Sequence, residues 1–246
     1  MKEKFSPLFL ILAILFVVCL ISSNLFATKV ISLWGVNLPG AVIIFPISYI
    51  INDCISEVWG YRRARLVIWL AFIMNALVVF VGQLVVWLPA ASFWDGAQHF
   101  DYVFTMAPRV VLGSLLAFLI GSTLNALVMS KMKIADKGRR FGVRAILSSL
   151  AGEFADSLIF MPIAFLGTPL KVLGGMMLAQ VSFKVLYEII ILPLTASVVR
   201  WIKDFEGVDT YDEGISYNPF KIFASQSFEG AHHPQWHILY KRYTHR

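Results

Sequence analysis

Residues 145–166 read AILSSLAGEFADSLIFMPIAFL, an apolar run that is interrupted near its middle by Glu153 and Asp156. A transmembrane helix needs about 20 mostly apolar residues, so the length of this run predicts a membrane span. A charged side chain at the centre of a bilayer costs roughly 2.5–3.5 kcal/mol on insertion scales. A span that carries two such side chains is therefore expected to use them.

Five further stretches have similar length and apolar character, and the composition of the whole chain fits a membrane protein. Of the 246 residues, 58% are hydrophobic and only 15% are charged, and the mean hydropathy is +0.73. These values exclude an ordinary soluble domain. We predict an all-α integral membrane protein with six transmembrane helices, at about 8–27, 40–59, 66–88, 110–130, 145–166 and 172–199.

The net charge of +6 is distributed in a way that orients the chain in a membrane. Lysine and arginine cluster before the first segment, at 62–65, at 131–144 and after the sixth segment, whereas the intervening loops hold few of them. This alternation is the positive-inside pattern. It predicts that both termini lie in the cytoplasm, and it explains the basic excess without a nucleic-acid partner.

The polar C-terminal part of the chain is predicted to lie outside the membrane. After Lys203 the sequence becomes polar, which divides the chain into a transmembrane domain at 1–203 and a cytoplasmic tail at 204–246. His232, His233 and His237 lie close together in this tail. Because no acidic or cysteine ligands accompany them, a partly ordered tail is favoured over a metal site.

Two connections between the predicted helices have a distinct composition. The outer loop at 89–108 could form a short amphipathic lid, but a plain surface loop is favoured. The basic segment at 131–144 contains Gly138 and Gly142 and is predicted to be a short cytoplasmic turn. Nearly all of the remaining chain before the tail is therefore expected to lie in the membrane.

Three of the predicted helices carry polar and ionisable side chains within their apolar length. At about 100° per residue, those of the fifth and of the sixth helix each form one stripe, and charges facing lipid would be very costly. We therefore predict that the three groups face one another inside the bundle. The residues are Asn52, Asp53, Ser56 and Glu57; Glu153, Asp156 and Ser157; and Gln180, Lys184, Tyr187 and Glu188.

The helix rise places several of these charges deep in the bilayer. At about 1.5 Å per residue, Glu153, Asp156 and Glu188 lie roughly 13–18 Å from the inner ends of their helices. Asp53 lies roughly 10 Å deep by the same measure. Since the hydrocarbon core is about 30 Å thick, these carboxyl groups are expected near its centre.

Carboxyl groups outnumber bases in this set, because five of them accompany a single lysine, Lys184. Glu57 is close to the inner surface and is expected to reach water or to pair with Arg62 or Arg63. Pairing within the set, for example of Lys184 with Glu188 or Asp156, is an open alternative. The excess of acid nevertheless favours a polar cavity for a ligand with several N–H groups or a positive charge, or a proton-coupled cycle, over a site for phosphate or carboxylate.

Other function classes find little support in these helices. All five histidines lie outside the predicted spans, and the chain contains no H-E-x-x-H, G-x-S-x-G or Walker-type motif. An enzyme, a metal site and a bound cofactor are therefore not expected. A channel is disfavoured because the polar residues form discrete clusters and not a continuous lining.

The fourth predicted helix repeats small or polar residues every fourth position, at Gly113, Ala117, Gly121 and Asn125. Such a row lets two helix backbones approach closely. Packing within the chain is the favoured use. A contact in a homo-oligomer is the alternative.

These elements together resemble the vitamin uptake transporter family, which includes the queuosine precursor transporters. The resemblance extends over about residues 8–220, and any single motif would be weak evidence on its own. The motifs, in order, are N-D-x-x-x-E-x-x-G at 52–60, E-F-x-D-S at 153–157, K-x-x-x-E at 184–188 and Y-D-E-G-I-S-Y-N-P-F at 211–220.

The resemblance implies a six-helix protein of the cell inner (plasma) membrane that imports 7-cyano-7-deazaguanine (preQ0) and 7-aminomethyl-7-deazaguanine (preQ1) for salvage of queuosine in tRNA. It also implies a fold similar to the substrate-binding components of energy-coupling-factor transporters, without an obvious ATPase partner. A non-transporting subunit that binds another small nucleobase or vitamin and needs a separate ATPase is the alternative. A coupling proton or ion also stays open.

We take the polar residues of these three helices, except Ser56 and Ser157, as candidate substrate-binding residues. Glu153, Asp156 and Asp53 are expected to be the principal ligands, since a carboxylate can accept both N–H groups of a guanine-like edge. Asn52 is expected to supply an amide, while Lys184 holds Glu188 or contacts the ring carbonyl. The aromatic residues that could stack on the ligand are Phe154, Phe160 and Tyr187.

Overall fold

The computed structural model describes residues 5–33, 36–105, 108–164, 166–167 and 169–221. Within these residues the chain forms seven α-helices and one β-hairpin. The elements are α1 (Pro7–Phe26), β1 (Val30–Leu33), β2 (Val36–Pro39), a 3₁₀ turn (Gly40–Ile43), α2 (Phe45–Trp59), α3 (Tyr61–Val86), α4 (Ala97–Phe104), α5 (Pro108–Asp136), α6 (Phe141–Ala164) and α7 (Leu170–Glu206).

Five of the helices are long and apolar enough to cross a membrane. Their outward faces carry large apolar side chains such as Ile14, which is 62% exposed, and Phe80, which is also 62% exposed. A bilayer is the solvent that such faces require. The chain is therefore a multi-pass membrane protein, and its candidate spans are Pro7–Phe26, Tyr61–Val86, Leu112–Asp136, Phe141–Ile163 and Leu173–Glu206.

The remaining predicted span, at 40–59, forms a 3₁₀ turn followed by the 15-residue helix α2. Pro46 lies in the first turn of α2, where a missing N–H costs no helical hydrogen bond. Helix α2 contacts α1, α3, α5 and α7, and every residue from 51 to 60 is buried. This central position places the polar residues of α2 inside the bundle.

Helices α5 and α6 form a closely packed antiparallel hairpin. A Cβ atom added to Gly121 would lie 2.9 Å from the carbonyl oxygen of Gly152, and one added to Gly152 would lie 2.8 Å from that of Gly121. Only glycine at both positions allows this approach. The predicted within-chain use of the small-residue row is thus confirmed, and the crossing aligns the polar faces of the two helices.

Two connections differ from the sequence-based prediction of an all-α chain with a plain outer loop. Strands β1 and β2 pair antiparallel between α1 and the 3₁₀ turn. The outer loop contains the short helix α4, which contacts α3, so the preference for a loop without regular structure was wrong. The Phe104 ring packs closely against α3 at Gly82, where an added Cβ would collide with the ring.

The basic segment at 131–144 is mostly helical and not a turn. Helix α5 continues to Asp136 and α6 begins at Phe141, and the intervening turn has positive φ at Lys137 and Gly138. The Asp136 carboxylate accepts hydrogen bonds from the backbone N–H groups of Gly138 and Arg140. The basic residues of this segment are therefore held on helix ends.

Helix α7 ends at Glu206, and the following residues pack back against the bundle. Gly207 adopts the left-handed conformation, with φ 64°, and so closes the helix. Residues 208–221, here called the strap, run along the ends of α2, α3 and α5. We call this end of the bundle, which carries most of its lysines and arginines, the basic end. The tail histidines His232, His233 and His237 lie outside the described residues.

Candidate functional site

Glu153 and Asp156 of α6 meet Lys184 of α7 inside the bundle. The Lys184 ammonium donates to Glu153 Oε2 at 2.5 Å and to Asp156 Oδ2 at 3.4 Å. All three residues are at most 7% exposed. The inward stripe of α6 is thus observed, and of the two pairings considered for Lys184 the one with Asp156 is present.

Asp53 of α2 and Glu188 of α7 form a second acidic contact beside the first. The two carboxyl groups lie within hydrogen-bonding reach of each other. Asn125 lies beside Asp53 and Ser149 lies beside Glu188. Oδ1 of Asp53 and Oε1 of Glu188 have no hydrogen-bond partner among the described residues. We call the set Asp53, Glu153, Asp156, Lys184 and Glu188 the deep cluster.

Tyr49 belongs to this site, although it was not among the residues predicted from the sequence. It lies one helical turn before Asp53, on the same face of α2, and is 3% exposed. Its phenol interacts electrostatically with all four carboxyl groups of the deep cluster. Its hydroxyl lies next to Gly121, at the crossing of α5 and α6, where an added Cβ atom would be only 3.0 Å from the hydroxyl oxygen. The i, i+4 spacing from Asp53 was the signal that could have found it.

Asn52 connects three helices. Its amide nitrogen donates to Asn125 Oδ1 at 2.8 Å and to the carbonyl oxygen of Ser122 at 3.2 Å. Asn125 in turn donates to Ser149 Oγ at 3.3 Å. The Asn52 amide N–H groups are therefore engaged by α5, and this chain of hydrogen bonds holds α2, α5 and α6 in register beside the deep cluster.

The remaining predicted ligands lie at the edge of the site or outside it. Gln180 and Tyr187 of α7 are half-buried on the same side of the helix as Lys184. Phe154 is 56% exposed and faces away from the bundle, so the prediction that it could stack on a ligand is wrong. It follows Glu153 directly, and a helix turns consecutive residues about 100° apart.

Glu57 is fully buried and lies in a separate group of charges towards the basic end. Glu57 Oε1 accepts hydrogen bonds from Arg144 Nη2 at 2.8 Å and from Lys203 Nζ at 2.6 Å. The prediction that Glu57 pairs with Arg62 or Arg63 was therefore wrong, because its partners are Arg144 and Lys203. Arg144 also pairs with Asp136 at 2.7 Å. We call the set Glu57, Lys133, Asp136, Arg144, Lys203 and Asp209 the basic-end cluster.

Asp209 joins the strap to this cluster. Its carboxylate pairs with Lys133 and, at 2.9 Å, with Lys203. Burial opposes ionisation of Asp209, but the hydrogen bonds from the two lysines outweigh it and hold the pKa of the carboxyl group below its ordinary value. The cluster contains three acids and three bases, so it is electrically balanced.

The strap also explains two of the sequence motifs. Asp212 Oδ2 accepts hydrogen bonds from the backbone N–H of Tyr61 at 2.8 Å and from Ser130 Oγ at 2.5 Å. Gly60, with φ 82°, makes the corner between α2 and α3, and a Cβ there would lie 2.6 Å from Asp212 Oδ1. The glycine of the first motif and the aspartate of the last are therefore in direct contact.

The walls of two cavities among the described residues contain no residue of the deep cluster. One of about 350 Å³ lies at the basic end, where Ser6, Trp59 and Thr210 are part of its wall. The other, of about 20 Å³, lies between α1, α3 and α4. The acidic side chains converge as expected, but they are packed against one another in this conformation.

The comparisons with known proteins point in the same direction as this geometry. Residues 39–198 match a family model described as "Putative vitamin uptake transporter". The chain is 28% identical over 188 residues to the "Probable queuosine precursor transporter" of Bacillus subtilis (strain 168), an alignment that covers 76% of this chain and 82% of that protein.

A second relative is more distant. The "Queuosine precursor transporter" of Escherichia coli (strain K12) is 23% identical over 192 residues, which cover 76% of this chain and 84% of that protein. No solved structure matches the chain at a significant level. The matched region contains α2, α6 and α7 up to residue 198, and thus every residue of the deep cluster.

Proposed function

Because the chain belongs to the vitamin uptake transporter family, we propose that it imports the queuosine precursors 7-cyano-7-deazaguanine (preQ0) and 7-aminomethyl-7-deazaguanine (preQ1). Two relatives that are named as queuosine precursor transporters support this substrate class. The observation that carries the proposal is the convergence of acidic side chains from α2, α6 and α7 on one buried site.

The chemistry of the site suits a deazaguanine. A guanine-like edge presents a ring N–H and an exocyclic amine side by side, and one carboxylate can accept both hydrogen bonds. The aminomethyl form adds a cation, which a second carboxylate would neutralise. We assign these roles to Glu153 and Asp156, with Tyr49 as a further polar contact. Tyr187 and Gln180 would border the ring from α7.

Lys184 would act as the partner that a ligand displaces. An ionised carboxylate in a low-dielectric interior needs a donor at all times, and Lys184 supplies it for Glu153 and Asp156. Its contact with Asp156 is the longer one, at 3.4 Å. Asp156 would therefore exchange Lys184 for a ligand donor first, while Glu153 keeps its bond. The released ammonium could then donate to the ring carbonyl.

Six crossings account for the topology better than five. Ser6, at the start of α1, lines the same cavity as Tyr211 and Asp212 of the strap. The first and last helices thus begin and end at the same end of the bundle, which requires an even number of crossings. Helix α2 and the preceding 3₁₀ turn would supply the sixth. By the positive-inside rule the basic end would face the cytoplasm, with both termini there, and the membrane would be the cell inner membrane.

Glu57 takes a different role in this scheme from the ligand role expected from the sequence. Its carboxylate is engaged by Arg144 and Lys203, and it lies one turn of α2 nearer the basic end than Asp53. The basic-end cluster would close the path from the deep cluster to the cytoplasm. The likeness to the substrate-binding components of energy-coupling-factor transporters stays a prediction from the family resemblance.

Reconstitution of the purified chain alone tests the proposal. Liposomes preloaded with unlabelled preQ1 should take up labelled preQ1 by exchange, and Glu153→Gln should abolish this exchange while the protein still inserts and remains monodisperse. Asp204→Asn is the matched control, because Asp204 is exposed near the end of α7. Binding of preQ1 without any exchange would instead indicate a subunit that depends on a separate ATPase.

A further inference from the structure

The two charge clusters differ in their balance. The basic-end cluster pairs three acids with three bases, whereas the deep cluster contains four carboxyl groups and one ammonium group. Lys184 bonds Glu153 and Asp156, which lie on α6. Asp53 and Glu188 contact each other across the interface between α2 and α7.

The contact between Asp53 and Glu188 is buried and incompletely bonded. Asp53 is 1% exposed and Glu188 is 7% exposed. Asp53 Oδ1 and Glu188 Oε1 each have no hydrogen-bond partner among the described residues. Two carboxylates at hydrogen-bonding distance repel strongly when both are ionised, and such pairs hold one proton between them. A shared proton converts the repulsion into a hydrogen bond.

We propose that the Asp53–Glu188 pair is a proton-binding site, and that its protonation and deprotonation couple substrate import to the movement of a proton across the membrane. This inference rests on the proposed transport function and assigns it an energy source. The proton adds to a carboxylate oxygen of the pair from one side of the membrane and leaves to water on the other. No bond other than O–H forms or breaks.

The groups around the pair are consistent with this role. Helix α1 contains no Asp, Glu, Lys, Arg or His, and the arginines of α3 lie in its first turns at the basic end. The polar and ionisable groups facing the pair come from α2, α5, α6 and α7. They are Tyr49, Cys54 and Glu57; Asn125; Ser149, Glu153 and Asp156; and Lys184.

The position of the pair links it to the closure at the basic end. Asp53 and Glu57 are one turn apart on α2, and both bond α7, through Glu188 and Lys203 respectively. Loss of the shared proton would leave two like charges at the interface of α2 and α7 and drive these helices apart. The Asp53–Glu188 contact and the Glu57–Lys203 bond both lie on that interface, so one movement would open them together.

Transport by the purified protein in liposomes with an imposed pH gradient tests the inference. The wild type should accumulate labelled preQ1 at least fivefold more when the outside is acidic, and addition of preQ1 should acidify a pyranine-loaded interior. Glu188→Gln and Asp53→Asn should each lose the stimulation, so that any preQ1 uptake that remains is the same with and without the gradient. Asp204→Asn should keep it.

The outcomes separate this inference from the proposed function. Exchange by the wild type that is neither stimulated by the gradient nor accompanied by acidification overturns the proton site and leaves the transport function standing. Absence of any exchange by the wild type overturns both. If one carboxyl variant fails to fold, the other variant and the wild-type pyranine signal still decide the question. Full gradient stimulation in both carboxyl variants also overturns the proton site.

Discussion

Removal of the Glu57 charge gives the sharpest test of the packing at the basic end. Glu57 and Arg144 are both fully buried, and their side chains pair at 2.8 Å. Lys203 adds a second charged donor at 2.6 Å. Glu57→Gln keeps the shape of the side chain but leaves the cluster with two acids against three bases. The substitution therefore creates an uncompensated buried positive charge.

The expected cost follows from this loss of balance. Breaking a buried ion pair by removing one partner typically costs about 3–5 kcal/mol. We expect a loss near the lower limit, because the amide oxygen of the introduced glutamine could still accept one hydrogen bond and Asp136 still pairs with Arg144. Unfolding of the purified protein in mixed detergent micelles, followed by tryptophan fluorescence, measures the change in free energy.

A second substitution identifies the cause of the loss. Replacing Lys203 by methionine in the Glu57→Gln background restores charge balance and should recover part of the stability, since an apolar replacement of a buried pair is often nearly neutral. Asp204→Asn, on an exposed position of the same helix, should have no measurable effect. A Glu57→Gln protein that is as stable as the wild type would refute the assignment of Glu57 as the buried carboxylate that balances this cluster.

Three further predictions concern the elements around the site. Gly121→Leu should lower the free energy of unfolding by about 1–3 kcal/mol, as overpacking does. The Cβ of the introduced leucine would lie 2.9 Å from the carbonyl oxygen of Gly152 on α6, and an unchanged free energy of unfolding would contradict this crossing. Asp212→Ala should lower the free energy of unfolding by about 1–3 kcal/mol, because it leaves the backbone N–H of Tyr61 without its acceptor. Limited proteolysis should then cleave the strap faster than in the wild type. An unchanged cleavage rate would argue against the packing of the strap on the bundle. Asp209→Asn should destabilise the protein at pH 7, because only the ionised form of a carboxyl group whose pKa is lowered by folding stabilises the native state. The difference should shrink as the pH falls below 3.8, the ordinary value for Asp, and vanish below the lowered pKa of the folded state. A constant difference across a pH titration of stability would contradict the pairing.

Local periodicity was sufficient to predict the acidic face of the site. Glu153 and Asp156 are three residues apart on α6, and a charge facing lipid is costly, so both had to face inward. The same geometry could have excluded Phe154, which lies about 100° away from Glu153. It could also have included Tyr49, one turn before Asp53. These were errors in applying a rule that the sequence already supplied.

Other features depend on contacts that no local pattern encodes. Glu57 is separated from its partners by 87 and 146 residues, so the nearby arginines Arg62 and Arg63 were the natural but wrong choice. The strap was predicted only as polar tail, because its fold depends on Asp212 reaching Tyr61, 151 residues away. The hairpin β1–β2 was missed because its two strands have four residues each, which is too short to show a clear period-two alternation.

Calorimetric binding of preQ1 to the purified protein tests the central claim, that the buried carboxylates of α6 form the ligand site, most directly. Charge-assisted hydrogen bonds contribute about 1.5–3 kcal/mol each, and about 1.4 kcal/mol corresponds to a tenfold change in Kd. The wild type should therefore bind preQ1 roughly 100-fold more tightly than Glu153→Gln, while Asp204→Asn binds as the wild type does. Equal affinity of the wild type and Glu153→Gln for preQ1 would contradict the account.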